Sequence, residues 1–109
     1  MAVNLSADLL RAFVTVSDLA SYTKAGDVLG RTQPAISLQI RRLEELIGVR
    51  LIETVGKRPQ MTEDGEVLSV YARQILSLND EVVGRYTKRE KSRTLRVGLP
   101  TDYAAAFLQ

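Results

Sequence analysis

Thr32-Gln33-Pro34-Ala35-Ile36-Ser37-Leu38-Gln39-Ile40-Arg41-Arg42-Leu43-Glu44-Glu45-Leu46-Ile47-Gly48 is the stretch whose reading decides the fold. Thr32 is an N-cap residue, because its hydroxyl can accept one of the unpaired N–H groups of a first helical turn. Pro34 suits that turn, where its missing N–H costs nothing. Ile36, Ile40, Leu43 and Ile47 recur at helical spacing and predict a buried stripe. Ala35, Ser37, Leu38, Arg41, Arg42 and Glu45 fall on the other face. Gly48 supplies the left-handed residue that ends such a helix.

Upstream, Ser21 caps a short helix over 22–29 with Tyr22, Ala25 and Leu29 on one stripe, and Gly30 stops it. Gly26 inside that helix costs about 1 kcal/mol relative to Ala, so another helix is expected to pack close to it. Residues 6–20 predict a first helix, capped by Ser6, with Asp8 in its first turn and Leu9, Leu10, Phe13, Val14 and Val16 facing a core.

Downstream, Leu51–Val55 reads as a strand. Gly56-Lys57-Arg58-Pro59 reads as a turn with cations at its tip, and Gln60-Met61-Thr62 as the return. Together they form a small β-hairpin, or wing. Thr62 caps a fourth helix, with Glu63, Asp64 and Glu66 in its first turn, running to about residues 88–91. Roughly 27 helical residues at about 1.5 Å each span about 40 Å, too long to lie wholly on the preceding core. Arg96–Pro100 reads as a new strand and Tyr103–Leu108 as the start of a helix, the opening of an α/β domain.

The expected fold is mainly α: a winged helix-turn-helix, with a three-helix core and a β-hairpin wing, followed by a long dimerisation helix. Three regions are expected: 1–62 as the winged domain, 63–91 as the linker helix, and 92–109 as a hinge with the first residues of a further domain.

A short helix, a tight turn and a longer helix with an apolar rear face fit the major groove of duplex DNA, with the N-terminal residues of the second helix nearest the base edges. Those residues are Gln33, Pro34, Ala35, Ser37 and Leu38, with Arg41 one turn further. Gln can pair bidentately with adenine, Ser can meet many edges, and Ala or Leu can touch a thymine methyl. Thr32 and the N–H groups beside it offer a phosphate site. Lys24, Arg31, Arg42, Lys57 and Arg58 are the candidate backbone and wing contacts. An ordinary helical hairpin shares this spacing, but an exposed Leu38 beside Pro34 and Ala35 calls for a partner.

Charge distribution agrees. Net charge is only +2. Residues 21–62 nevertheless hold seven Lys/Arg against four acids, 63–84 hold Arg73 against five carboxylates, and 85–96 hold six Lys/Arg against Glu90. An anion-binding surface is therefore expected to centre on 21–62. The chain contains no cysteine and no histidine. Disulfides and thiolate metal sites are excluded, and the commonest general base is missing. No metal or cofactor is expected in the 109 residues. With no apolar run near membrane length and no signal-peptide pattern, the expected location is cytoplasmic, on the nucleoid.

From Leu9 to Leu76 the sequence resembles the DNA-binding domain of LysR-type transcriptional regulators. The matching elements are Leu10-x-x-Phe13-x-x-Val16, Ser21-Tyr22-Thr23-Lys24-Ala25 and Thr32-Gln33-Pro34-Ala35-Ile36-Ser37-x-Gln39-Ile40-x-x-Leu43-Glu44-x-x-Ile47-Gly48. Leu51, Lys57, Met61-Thr62, Gly65 and Ile75-Leu76 continue the match. The resemblance implies base-contacting roles for Gln33, Pro34, Ala35, Ser37 and Leu38, and a basic wing position at Lys57. It implies that the helix from Glu63 pairs two subunits, and that Leu95-Arg96-Val97-Gly98 opens an effector-binding domain carried here only in its first residues. A small-molecule effector is thus expected only for the full-length protein. The sequence departs from the family at Gly26, where Ala is usual, and at Leu51-Ile52-Glu53-Thr54, where Leu-Phe-x-Arg is usual. Arg58 or Arg50 is then left to take over the contact of the missing arginine.

Leu68, Tyr71, Ile75, Leu78 and Val82 step by three and four, a coiled-coil-like seam expected to form a homodimer. A two-fold dimer would present two recognition helices to a roughly palindromic site. Two other readings compete. A winged-helix interaction module without DNA binding has no need of both Arg41 and Lys57. An enzyme finds no support, because the adjacent Glu44 and Glu45 splay about 100° apart on a helix and no nucleophile–base set is present.

Overall fold

The computed structural model describes residues 2–97, with the side chains of residues 2–88, and contains four helices and a two-stranded hairpin. The helices are α1 (Ala7–Leu19), α2 (Tyr22–Leu29), α3 (Gln33–Ile47) and α4 (Glu63–Val97), and the strands are β1 (Ile52–Val55) and β2 (Arg58–Met61). The described residues divide into two compact units, with the boundary between Leu76 and Ser77.

The first three helices begin where short polar side chains capture orphan N–H groups. Ser6 accepts from Leu9 N–H at 3.2 Å, Ser21 from Lys24 N–H at 3.0 Å and Thr32 from Ala35 N–H at 3.2 Å. They end in left-handed residues Ala20, Gly30 and Gly48. Leu10, Phe13 and Val16 of α1 meet Ala25 of α2 and Ile36, Ile40 and Leu43 of α3 in one core, closed by Leu51, Ile52, Ala72 and Leu76. The expected inward stripes of α1 and α3 are thus the ones buried.

Gly26 is buried for a reason other than a packed helix. Its carbonyl accepts from Arg31 N–H at 2.8 Å. A Cβ there would lie 2.5 Å from the Arg31 carbonyl oxygen. The turn between α2 and α3 folds back against α2 itself, and only glycine leaves room.

The wing is tighter than expected. Its register pairs Ile52 with Met61, Glu53 with Gln60, Thr54 with Pro59 and Val55 with Arg58. Arg58 and Pro59 therefore belong to β2, and Gly56-Lys57 alone makes the turn. Both residues have positive φ, 57° and 66°, as the mirror-image turn of a two-residue hairpin requires. Pro59 is tolerated because a two-stranded sheet has only edge strands.

α4 starts at the end of the hairpin. Thr62 Oγ1 accepts from Gly65 N–H at 3.0 Å and donates to the Arg50 carbonyl at 2.7 Å, while Thr62 N–H donates to the Leu51 carbonyl at 3.0 Å. Further along the first unit, Arg73 donates to both carboxylate oxygens of Asp18, at 3.2 and 2.5 Å, joining α4 to the end of α1. The helix runs past the expected end near residue 91 to Val97. Arg96 and Val97 therefore lie in the helix and do not open a strand. The remainder of that expected strand and the helix expected over Tyr103–Leu108 lie outside the described residues.

Candidate nucleic-acid interface

α3 turns its apolar stripe inward, so its opposite face is free. Gln33, Pro34, Arg41 and Arg42 are exposed, Ala35 and Ser37 half-buried. Leu38 is 44% exposed. Thr32 is exposed, with its hydroxyl committed to the helix cap. Gln33 and Ser37 are one turn apart and bonded: Gln33 Nε2 donates to Ser37 Oγ at 2.7 Å. The bond fixes the amide of a flexible side chain and leaves its Oε1 and second N–H available.

Two grooves flank this helix. One, of about 540 Å³, brings Gln33 together with Lys24 of α2 and with Lys57 and Arg58 of the wing. The other, of about 470 Å³, runs along Gln33, Ser37 and Arg41 to Tyr22 and Arg50. Arg31 is engaged elsewhere, its Nη2 lying 3.4 Å from Asp8 Oδ2. Arg42 lines neither groove. The fold therefore gathers five cations of distant sequence position (Lys24, Arg41, Arg50, Lys57, Arg58) around the Gln33–Ser37 pair.

Lys57 sits at some cost. A left-handed residue with a Cβ is disfavoured by about 1 kcal/mol, and glycine or asparagine is the usual occupant. Lys57→Gly should therefore raise the stability of the domain by about 0.5–1 kcal/mol. If the wing cation contacts phosphate, the same change should weaken duplex binding. Thermal melts and a binding titration on one variant check both, and a variant that loses stability would show that the turn does not strain Lys57.

Glu44 is a residue that spacing alone did not single out. It follows Ile40 by four and so lies toward the inward stripe. Its Oε2 accepts from Leu51 N–H at 2.7 Å and Ile52 N–H at 3.3 Å. One carboxylate of α3 thus anchors the root of the wing. Burial pushes the Tyr22 phenol above its ordinary pKa, and the Glu44 charge adds to the shift while Arg50 opposes it.

On α4, the expected seam divides. Within the first unit Leu68 is half-buried and packs on the domain's own core, whereas Val67, Tyr71 and Ile75 are 57%, 59% and 44% exposed. Within the second, Leu78 and Val82 are 61% and 53% exposed. Among the described residues no cluster of acids could hold a metal ion, and no helix is long and apolar enough to cross a membrane.

Residues 7–66 match the sequence model of the family described as bacterial regulatory helix-turn-helix protein, lysR family. The chain is 37% identical over 105 residues to the transcriptional regulator DgdR of Burkholderia cepacia, covering 96% of this chain and 36% of that protein. It is 41% identical over 106 residues to the regulator PecT of Dickeya dadantii, covering 97% and 34%. The chain therefore spans about a third of the length of these curated relatives. Among solved structures, it is similar to the DNA-binding domain of BenM in its complex with catB site 1 DNA. The TM-score is 0.72 with 39% identity, over 81% of this chain and 98% of that one.

Proposed function

The chain belongs to the lysR family of bacterial regulatory helix-turn-helix proteins, and from that premise we propose that α3 reads duplex DNA in the major groove through Gln33, Pro34, Ala35, Ser37, Leu38 and Arg41. Lys24, Thr32, Lys57 and Arg58 contact the phosphate backbone or minor groove, with Arg42 and, once released from Asp8, Arg31 at the margin. The observation that carries the reading is the Gln33–Ser37 pair, presented on the free face of α3 between cations from α2 and the wing. Phosphate contacts supply affinity and register; base edges supply specificity.

The protein acts as a homodimer through α4, on a roughly palindromic site. Val67, Tyr71, Ile75, Leu78 and Val82 are the apolar surface a second copy would cover, and Leu68 supports it from the core side. In the whole protein this module regulates transcription in the cytoplasm, under a small-molecule effector bound outside the present residues. The activity is binding and uses no catalytic step or cofactor.

Anisotropy titration of a labelled AT-rich palindromic pool at several salt concentrations tests the reading. A log–log slope of about −4 or steeper is expected, each neutralised phosphate contributing about 0.9. Gln33→Ala and Ser37→Ala should each relax discrimination by about 1–3 kcal/mol at one base position. Absence of binding at low salt, or undiminished discrimination between specific and scrambled duplexes in both variants, refutes it.

A further inference from the structure

β1 carries Ile52, Glu53, Thr54 and Val55, an acid and no cation. The wing's own cations, Lys57 and Arg58, lie at its tip. The root of the wing, where it meets α3, would thus present no positive charge of its own. Arg50 stands immediately before that root. Its Nη2 donates to the Ile52 carbonyl at 3.3 Å, and its Nε lies 3.6 Å from Glu44 Oε2. These two anchors hold the guanidinium, yet 76% of the side chain is exposed. It lines the same groove as Gln33, Ser37 and Arg41.

We propose that Arg50 contacts a phosphate of the duplex backbone in the groove between α3 and the wing, held ready for it by Glu44. The inference rests on the DNA-binding reading above and adds a residue to it. The Arg50 side chain is 76% exposed and its Nε lies 3.6 Å from Glu44 Oε2, so solvent screens the pair and its contribution to stability is small. Arginine offers five N–H donors in a rigid fork. Nη2 is turned to Ile52 and Nε toward Glu44, which leaves Nη1 and an edge of the fork for a tetrahedral anion. Glu44 does not cancel the site. Its side chain is only 14% exposed, and its Oε2 is engaged by the N–H groups of Leu51 and Ile52. With Glu45 and Arg41 also bordering Arg50, a neighbouring cation strengthens the pull on a phosphate and a neighbouring acid weakens it. The exposed face toward Gln33 and Ser37 is the one Arg41 shares.

The test compares Arg50→Ala and Arg50→Lys with the unaltered chain on specific and scrambled duplexes across a salt series. A phosphate contact contributes about 0.9 to the slope, which at about 0.15 M salt is about fivefold in affinity. Arg50→Ala should lose that factor equally on both duplexes, with its slope shallower by about 0.9. Arg50→Lys should keep the slope and lose part of the affinity. Glu44 keeps its backbone bonds in both variants, so thermal melts should stay near those of the unaltered chain. A slope and affinity unchanged in Arg50→Ala overturn the inference while leaving the DNA-binding reading intact. A loss confined to the specific duplex also overturns it, by making Arg50 a base contact. An unaltered chain that binds no duplex overturns both.

Discussion

Replacing Gly65 by alanine should lower the melting temperature by about 10 °C, while replacing Gly84 in the same helix by alanine should raise it slightly. A Cβ at Gly65 would overlap the Leu51 carbonyl oxygen, lie 3.1 Å from the Leu51 carbonyl carbon and 3.3 Å from Met61 Cβ. The oxygen belongs to backbone that already accepts from Thr62 N–H, so it cannot rotate aside as a side chain could. Alanine gains about 1 kcal/mol of helix propensity. Overpacking a tight contact costs about 1–3 kcal/mol and sometimes more. Against rigid backbone the upper end applies, leaving a net loss of about 2 kcal/mol, or roughly 10 °C for a domain of this size. At Gly84 nothing lies within 4 Å of the added carbon, so only the propensity gain remains. Thermal unfolding of the two variants checks the pair. A Gly65→Ala protein as stable as its parent would show that α4 does not press on the root of the wing.

Ile75→Asp should abolish the homodimer proposed for α4 and, with it, most of the affinity for a palindromic duplex. Ile75 is 44% exposed beside Tyr71, and a carboxylate buried in a helix pair without a partner is strongly unfavourable. Linking two half-site contacts multiplies affinity by roughly 10²–10⁴, and the monomer forfeits that factor while keeping weak half-site binding. Sedimentation gives the mass, and a titration against one and two half-sites gives the affinity. An unchanged mass would move the dimer contact away from this face of α4.

The parts legible in the sequence were those governed by local chemistry. Ser6, Ser21 and Thr32 mark helix starts because a cap is a bond between a side chain and a nearby N–H, three residues on. Gly30 and Gly48 mark ends because the left-handed conformation is a property of one residue. The stripe of Ile36, Ile40, Leu43 and Ile47 showed which face of α3 is free, and hence where Gln33, Ser37 and Arg41 stand. Features that depend on tertiary approach were not legible. Glycine at 26 and 65 is written the same way whether a helix or a turn comes near. Nothing in the spacing of Glu44 tells that it accepts from the N–H groups of Leu51 and Ile52, which the fold brings opposite it. Leu68 and Val67 are both apolar and adjacent, so spacing alone could not decide which faces the core. The wing turn was placed too long because Arg58-Pro59 resembles turn chemistry, whereas an edge strand accepts it. The helix was ended too early because a run of Arg, Lys and Glu lost its apolar period, although all three are good helix formers.

The bond between Gln33 and Ser37 constrains how such a module could diverge. On the proposed reading, in which both residues meet base edges, a mutation at Ser37 also frees the amide of Gln33, and a mutation at Gln33 strands the hydroxyl of Ser37. Neither position can then change alone without loosening the side chain bonded to it. A duplicated copy acquiring a new operator would therefore have to pass through a promiscuous intermediate or change both codons together. That barrier would keep the recognition specificities of sister regulators apart.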